Sequence, residues 1–258
     1  VKLCSVLSII SALAFSALAQ EIKVDFNASG RPPSETWDPA YTPWSTNQTW
    51  FTGSDVLSNM FSGVTFIFRR IGPAGTSLRT DRYSAGLPTA KLANDGITFL
   101  PDHLANIVGV STAPGTQIEL TIGNLSAGPH TLLTWHNTWQ NPTNFTFCPL
   151  NIYLNGTQII TNMPVSNRVT NNADAAYSYV RFGSDGSNNT VILYEGSTNF
   201  TVTDMNFCID GFELDTPDFK FKANKPLPAH GEEHVDADVT KSVPLSWTKA
   251  ALAVSNRV

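Results

Sequence analysis

The chain has 258 residues, only 14% of them charged, and 16 Lys and Arg stand against 21 Asp and Glu for a net charge of −5. No basic stripe is present, so nucleic-acid binding has no electrostatic footprint here. The polar surface is mainly Asn, Thr and Ser, which meets a partner through neutral hydrogen bonds rather than through a strong field.

The first element is a leader. Lys2 precedes an apolar run from Leu3 to Leu18, and Ala17-Leu18-Ala19 stands before Gln20. A basic start, an apolar stretch and a small-x-small site are the marks of a secretory signal, assigned to residues 1–19. The run is short for a membrane span, and no later stretch is apolar enough to cross a bilayer. A secreted, extracellular protein with no membrane partner is expected. The first residue is Val1 and the sequence stops at Val258, so a fragment of a longer chain is expected too.

Cys4 leaves with the leader, and Cys148 and Cys208 remain. In an oxidising compartment their pairing is the default. Closing a loop of about 60 residues would stabilise the fold by roughly 4 kcal/mol in the chain-entropy account. Seven N-x-[ST] sequons occur, at Asn27, Asn47, Asn124, Asn144, Asn155, Asn188 and Asn199. Their number points to a eukaryotic secreted glycoprotein.

After the leader no window keeps a helical apolar stripe. Short alternating runs separated by Gly, Pro, Asn and Asp recur instead, which predicts an all-β sandwich. Ile22 to Phe26, Val64 to Arg69, Ile118 to Ile122 and Thr131 to Trp135 read as strands. Ile152 and Leu154 lead into Asn155-Gly156, a two-residue hairpin signal, and Ile159-Ile160 return. Tyr177 to Phe182, a turn at Ser184-Asp185-Gly186, and Val191 to Tyr194 form the next pair. Val202 to Leu214 closes the module, with Gly211 read as a bulge. Residues 20–215 are thus one domain of jelly-roll size, large enough to bury its own core. Residues 216–230 read as a Pro- and Gly-punctuated linker. Residues 231–258, with Val243 to Trp247 extended, read as the start of a second, incomplete β module.

Three segments resemble known sandwiches. Leu125-Ser-Ala-Gly-Pro-His-Thr-Leu-Leu-Thr-Trp-His resembles a strand-turn-strand of malectin-like and galactose-binding-like domains. Asn151-Ile-Tyr-Leu-Asn-Gly resembles their hairpin, and Cys208-Ile-Asp-Gly-Phe-Glu-Leu resembles their final strand. With Ile22-Lys-Val-Asp-Phe at the start, the resemblance spans most of residues 21–215. It implies a jelly-roll carbohydrate-binding domain with a polysaccharide or glycan as partner. The tail, from Pro226 through Leu245-Ser-Trp, resembles the opening of an Ig-like or fibronectin-III-like module. That resemblance implies a spacer leading to downstream domains of the same chain, such as a polysaccharide-active enzyme that the binding module would hold on a cell wall.

Sugar recognition needs flat apolar rings for pyranose C–H faces, and amides or carboxylates for hydroxyls. Trp37, Tyr41, Trp44 and Trp50 sit in a polar, Pro-rich stretch without strand periodicity. Trp135 and Trp139 flank His136 and Asn137 at a strand end. Trp44, Trp50, Trp135, His136, Asn137 and Trp139 are therefore the expected ligand-binding set. Trp135 continues the face of Thr131 and Leu133, and His136 points oppositely. The resemblance further implies a structural calcium ion between the first and last strands, for which Asp25 and Asp210 are the candidate ligands.

Catalysis finds little footing. His230-Gly-Glu-Glu-His234 matches a zinc-protease pattern, but its Pro and Gly neighbours deny it the helix that this chemistry needs. No nucleophile elbow is present. Asp95, Asp102, Glu119 and Asp174 offer no paired spacing for a glycosidase. A jelly-roll lyase could enlist Arg69, Arg70, Arg79, Arg82 and Tyr83. A structural or adhesive wall module is the remaining alternative to a binding module.

Overall fold

The computed structural model describes residues 21–27, 37–45, 56–71, 77–82, 90–100, 117–138, 149–196, 207–218, 224–227 and 246–248. The strands in chain order are β1 (Ile22–Asn27), β2 (Thr42–Ser45), β3 (Val56–Phe61), β4 (Val64–Ile71), β5 (Ser77–Arg82), β6 (Asp95–Leu100), β7 (Gln117–Gly123) and β8 (Ala127–Thr138). They continue as β9 (Leu150–Leu154), β10 (Thr157–Met163), β11 (Ser166–Asn167), β12 (Ala176–Asp185), β13 (Thr190–Gly196), β14 (Gly211–Leu214), β15 (Asn224–Leu227) and β16 (Ser246–Thr248). Helical structure among the described residues is confined to two 3₁₀ turns, Leu92–Asn94 and Asn172–Asp174.

Two six-stranded sheets form the sandwich. In the first, β8 pairs with β12 and β14, β14 with β1, and β1 with β2, while β11 adds two parallel pairs to the end of β8. The second runs β10-β9-β13-β7-β4-β3. Strands β7 and β13 alternate because one face must leave water, while β14 and the second half of β8 are buried on both faces. Phe26, Trp44, Phe66, Phe68 and Phe212 are inward positions of both sheets, and their rings interlock, Phe66 and Phe212 at 4.6 Å between centroids and Phe26 and Phe68 at 5.3 Å. Burying rings of this size contributes roughly 1.5–3 kcal/mol apiece.

The polarity of the sandwich matters for function. The turns β3–β4, β7–β8, β9–β10 and β12–β13 lie at one pole, as the pairs Thr65↔Gly123, Thr190↔Ile122 and Ile192↔Leu154 require. Asn155-Gly156 makes the expected hairpin turn, with both residues at positive φ, 46° and 83°. At β12–β13, Asp185 closes a local turn by accepting hydrogen bonds from the Ser187 and Asn188 amides, each at 2.8 Å.

Several expectations differ from the structure. Gly211 is no bulge: it pairs in register with Asp25, and a Cβ there would stand 2.6 Å from the Val24 carbonyl and 2.7 Å from Leu92 Cδ1. Its glycine serves close approach. The stretch around Trp44 is a strand, β2, running parallel to β1. The supposed linker contains β15, which pairs antiparallel with β16. Pro226 is tolerated there because a two-stranded sheet is all edge.

Candidate functional site

The expected binding residues divide by the parity of their strands. Trp44 lies opposite Phe26 and packs in the core at 5% exposure, so it cannot meet a ligand. Even-numbered residues of β8 face the second sheet. His136, one of the expected ligand-binding residues, is therefore fully buried. Its Nδ1–H donates to the Cys208 carbonyl at 3.0 Å, and its Nε2 accepts from the Thr134 hydroxyl at 2.9 Å. Burial holds its pKa down at about 4, so the imidazole is neutral and structural.

Asn137 is also corrected from ligand contact to clamp. It is buried, its Nδ2 donates to the Ala93 carbonyl at 2.8 Å, and its Oδ1 accepts from the Ser166 hydroxyl at 3.0 Å. Trp135 does point to the outer face of the first sheet, but it too is 5% exposed, covered by its neighbours. Trp50 and Trp139 lie outside the described residues, as does Cys148. Cys208 is buried in the core region, and its pairing remains an expectation.

What the structure brings together instead is a band of tyrosines over Trp135. Strand β12 lies antiparallel to β8, so Tyr177 stands opposite Trp135 and Tyr179 opposite Leu133. The odd positions of β12 face outward because Ser178, Val180 and Phe182 turn inward and are buried. The Trp135 and Tyr177 rings are 5.6 Å apart, and the Arg181 guanidinium lies 5.6 Å from the Tyr179 ring centre. Across the sheet the row Tyr179–Leu133–Glu213–Lys23 continues onto β14 and β1. Tyr41, just before β2, donates its hydroxyl to the Glu213 carboxylate, so its side chain spans the outer face of β1.

The band has both ingredients of sugar recognition. Tyr41, Tyr177 and Tyr179 are half-buried, with ring surface left over for a ligand. Each hydroxyl is anchored: Tyr177 to Asp218 at 3.1 Å, Tyr179 to the Thr216 carbonyl at 3.0 Å, and Tyr41 to Glu213. Burial, then the neighbouring Glu213 and Asp218 charges, push the Tyr41 and Tyr177 hydroxyls well above the usual phenol range, so they remain protonated donors. Beside Tyr41 is an open groove lined by Glu21, Lys23, Pro39, Ala40 and Thr42. The parity of 177, 179 and 181 against buried 178, 180 and 182 was the available sequence signal, and it puts the β12 tyrosines on the face of Trp135.

A second arrangement lies toward the opposite pole from the turns. Asp25 on β1 is paired with Gly211, and the Phe26 amide donates to the Asp210 carbonyl at 3.1 Å, which brings both aspartates to one place. Both are fully buried, and each has an Oδ1 without a hydrogen-bond partner. Asp95, also buried, adds to the Asp25 repulsion. Their other oxygens are held, Asp25 Oδ2 by the Asp38 amide at 2.8 Å and Asp210 Oδ2 by the Asn137 amide at 2.5 Å. Desolvation raises both carboxyls well above the usual range; the Asp95 charge adds to this at Asp25, and the Asp25 charge at Asp210. Among the described residues no group of three His, Cys, Asp or Glu side chains is gathered closely enough for a ready metal site.

The described carboxylates considered for catalysis lie on separate elements. Arg69 pairs with Glu119 at 3.9 Å on the outer face of the second sheet, Asp95 is buried, and Asp174 lies in an exposed 3₁₀ turn. Arg79 and Arg82 belong to β5, while Tyr83, Asp102, His230 and His234 lie outside the described residues.

No protein-family model matches the chain, and no curated protein matches it. Among solved structures it is similar to a family 35 carbohydrate-binding module from Clostridium thermocellum, at 11% identity over 64% of this chain and all 100% of that one, with a TM-score of 0.33. A second family 35 module, from an environmental isolate, shares 16% identity over 42% of this chain and 70% of that one, at 0.29. A complex of the plant peptide RALF23 with FER and LLG2 shares 9% identity over 78% of this chain and 41% of that one, at 0.39. No helix among the described residues is long and apolar enough to cross a membrane.

Proposed function

We propose that residues 20–215 form a secreted, non-catalytic carbohydrate-binding module that docks a glycan on the outer face of its first sheet. The observation that carries this reading is the row of half-buried tyrosines backed by Trp135. Flat rings of fixed orientation, flanked by Lys23, Glu213, Asp218 and Arg181, suit the alternating apolar and hydroxylated faces of a pyranose. Their hydrogen-bond partners hold the rings in place, so little rotamer freedom is lost on binding. The expected affinity is that of a shallow sugar site, micromolar to millimolar. The downstream module and an attached polysaccharide-active enzyme would convert such weak contacts into a high local concentration.

The same reading includes a structural Ca²⁺. Asp25 and Asp210 would be its protein ligands, and the residues fit it in one respect: two buried carboxylates repel each other and each has an unsatisfied oxygen. The ion would supply charge neutralisation, drawing β1 and the segment before β14 together. A Cys148–Cys208 disulfide would fix the approach to β14 in addition.

Retention on a panel of immobilised polysaccharides, with and without EDTA, tests the reading. The protein is expected to hold to one polysaccharide class. Failure of the folded protein to bind any of them would leave a structural wall module as the better account.

A further inference from the structure

The sequons among the described residues are not scattered over the fold. Of the four with described positions, Asn27 ends β1 at only 6% exposure. The other three, Asn124, Asn155 and Asn188, are exposed and all occupy turns of one pole. Asn124 follows β7, Asn155 follows β9, and Asn188 precedes β13. Since β9, β13 and β7 are consecutive in the second sheet, the three attachment points lie within two strand spacings, about 10 Å.

We infer that this pole carries a cluster of three N-linked glycans and that Asn27 carries none. The chemistry is a glycosyl transfer to the nascent chain. The anomeric C1–O bond of a lipid-pyrophosphate-linked oligosaccharide breaks, a bond from C1 to the Asn Nδ2 forms, one amide proton is lost and the lipid pyrophosphate leaves. The finished fold must then accommodate the product. A side-chain amide has two N–H groups, and one survives the transfer. It suffices to keep the bonds now seen, from Asn124 Nδ2 to the Thr65 hydroxyl at 3.1 Å and from Asn188 Nδ2 to Asp185 at 2.6 Å. Asn155 is held through its Oδ1, which accepts from the Val191 amide at 2.9 Å, leaving Nδ2 for the sugar. At Asn27 the side chain is only 6% exposed in the fold, which leaves no room for a glycan, so chains modified there would not reach this structure.

The cluster has a physical use. Met60 and Ile159, 57% and 42% exposed, are large apolar side chains near these turns, on the two edge strands β3 and β10. Exposed edges of this kind invite pairing with other chains, and glycans at this pole would block that approach. The inference stands apart from glycan recognition by the tyrosine face.

The test is secretion of residues 20–258 from a eukaryotic host behind the host's own leader, so that the native leader is not at issue. Enzymatic glycan release in heavy-oxygen water, followed by peptide mass spectrometry, reads occupancy at each site. Asn124, Asn155 and Asn188 are expected to be labelled and Asn27 unlabelled. The variants Ser126→Ala, Thr157→Ala and Asn188→Gln, which leave Asn124 and the Asn155-Gly156 turn in place, should each remove one glycan's worth of gel shift. Occupancy of Asn27 in folded protein, or empty sites at the pole, would overturn the inference.

Discussion

At the scale of single residues, parity decides role. His136 and Trp135 are neighbours in sequence and face opposite sides of one sheet, and both are buried. His136 lies between the sheets with both ring nitrogens engaged. Its ordinary pKa of 6.5 falls to about 4 in the fold. Between those values the unfolded chain binds more protons than the folded one. This stabilising contribution is therefore complete above pH 6.5 and is lost as pH falls toward 4, by about 3 kcal/mol in all. Asp25 and Asp210, raised by burial, work in the opposite sense. The comparison must therefore be with a His136→Gln variant: from pH 4 to 6.5 its stability, from urea unfolding, should gain less, or lose more, than that of the parent. Equal slopes would contradict a neutral, buried imidazole. Glycine gives a second test at this scale. A Cβ on Gly96 would stand 2.5 Å from the Ile209 carbonyl oxygen, so Gly96→Ala should lose about 1–3 kcal/mol, measured by the same unfolding.

At the scale of elements, the long alternating strands were legible because Val, Ile, Leu and Phe recur there at every second position. Strands β4, β7, β9 and β13 are of this kind, and the Asn155-Gly156 turn follows from the positive φ that both residues tolerate. Strands β2 and β3 were not legible. Thr42–Ser45 buries a single Trp beside a Pro, and Val56–Phe61 is an edge strand whose Val56 and Met60 face water. Such strands exist because their partners β1 and β4 exist, and tertiary pairing overrides local pattern. The tyrosine face proposed for binding was not singled out for a related reason. Tryptophan signals a site in a loop and core in a strand, and Trp44 is in a strand. The tyrosines of β12 were visible as strand residues, but which face they take follows only from the inward turn of Ser178, Val180 and Phe182.

At the scale of the whole molecule, the two poles and the outer face of the first sheet are chemically distinct. One pole carries exposed sequons, and the buried aspartates lie toward the other. The calcium reading makes a signed prediction about this second region. Without a cation, ionising Asp25 and Asp210 as pH rises destabilises the fold, because their folded pKa values are raised. Calcium should raise the melting temperature, and EDTA should lower it more at pH 8 than at pH 5. Asp210→Asn should abolish the calcium increment while leaving the EDTA-treated protein no less stable than the parent. A melting temperature indifferent to EDTA at both pH values would remove the ion from the account.

The central claim is that glycan docks on the tyrosine face of the first sheet. Its most direct test is calorimetric titration of the retained polysaccharide, or an oligosaccharide from it, into the parent, Tyr177→Ala and Tyr153→Ala. Tyr153 is the control, a half-buried tyrosine on the outer face of the second sheet whose hydroxyl also donates to a carboxylate, Glu195 at 2.8 Å. The account predicts about a tenfold loss of affinity for Tyr177→Ala, near the upper end of what one ring contact contributes, and unchanged affinity for Tyr153→Ala, with both variants folded. Undiminished binding by Tyr177→Ala, or loss confined to Tyr153→Ala, would place the site elsewhere and contradict it.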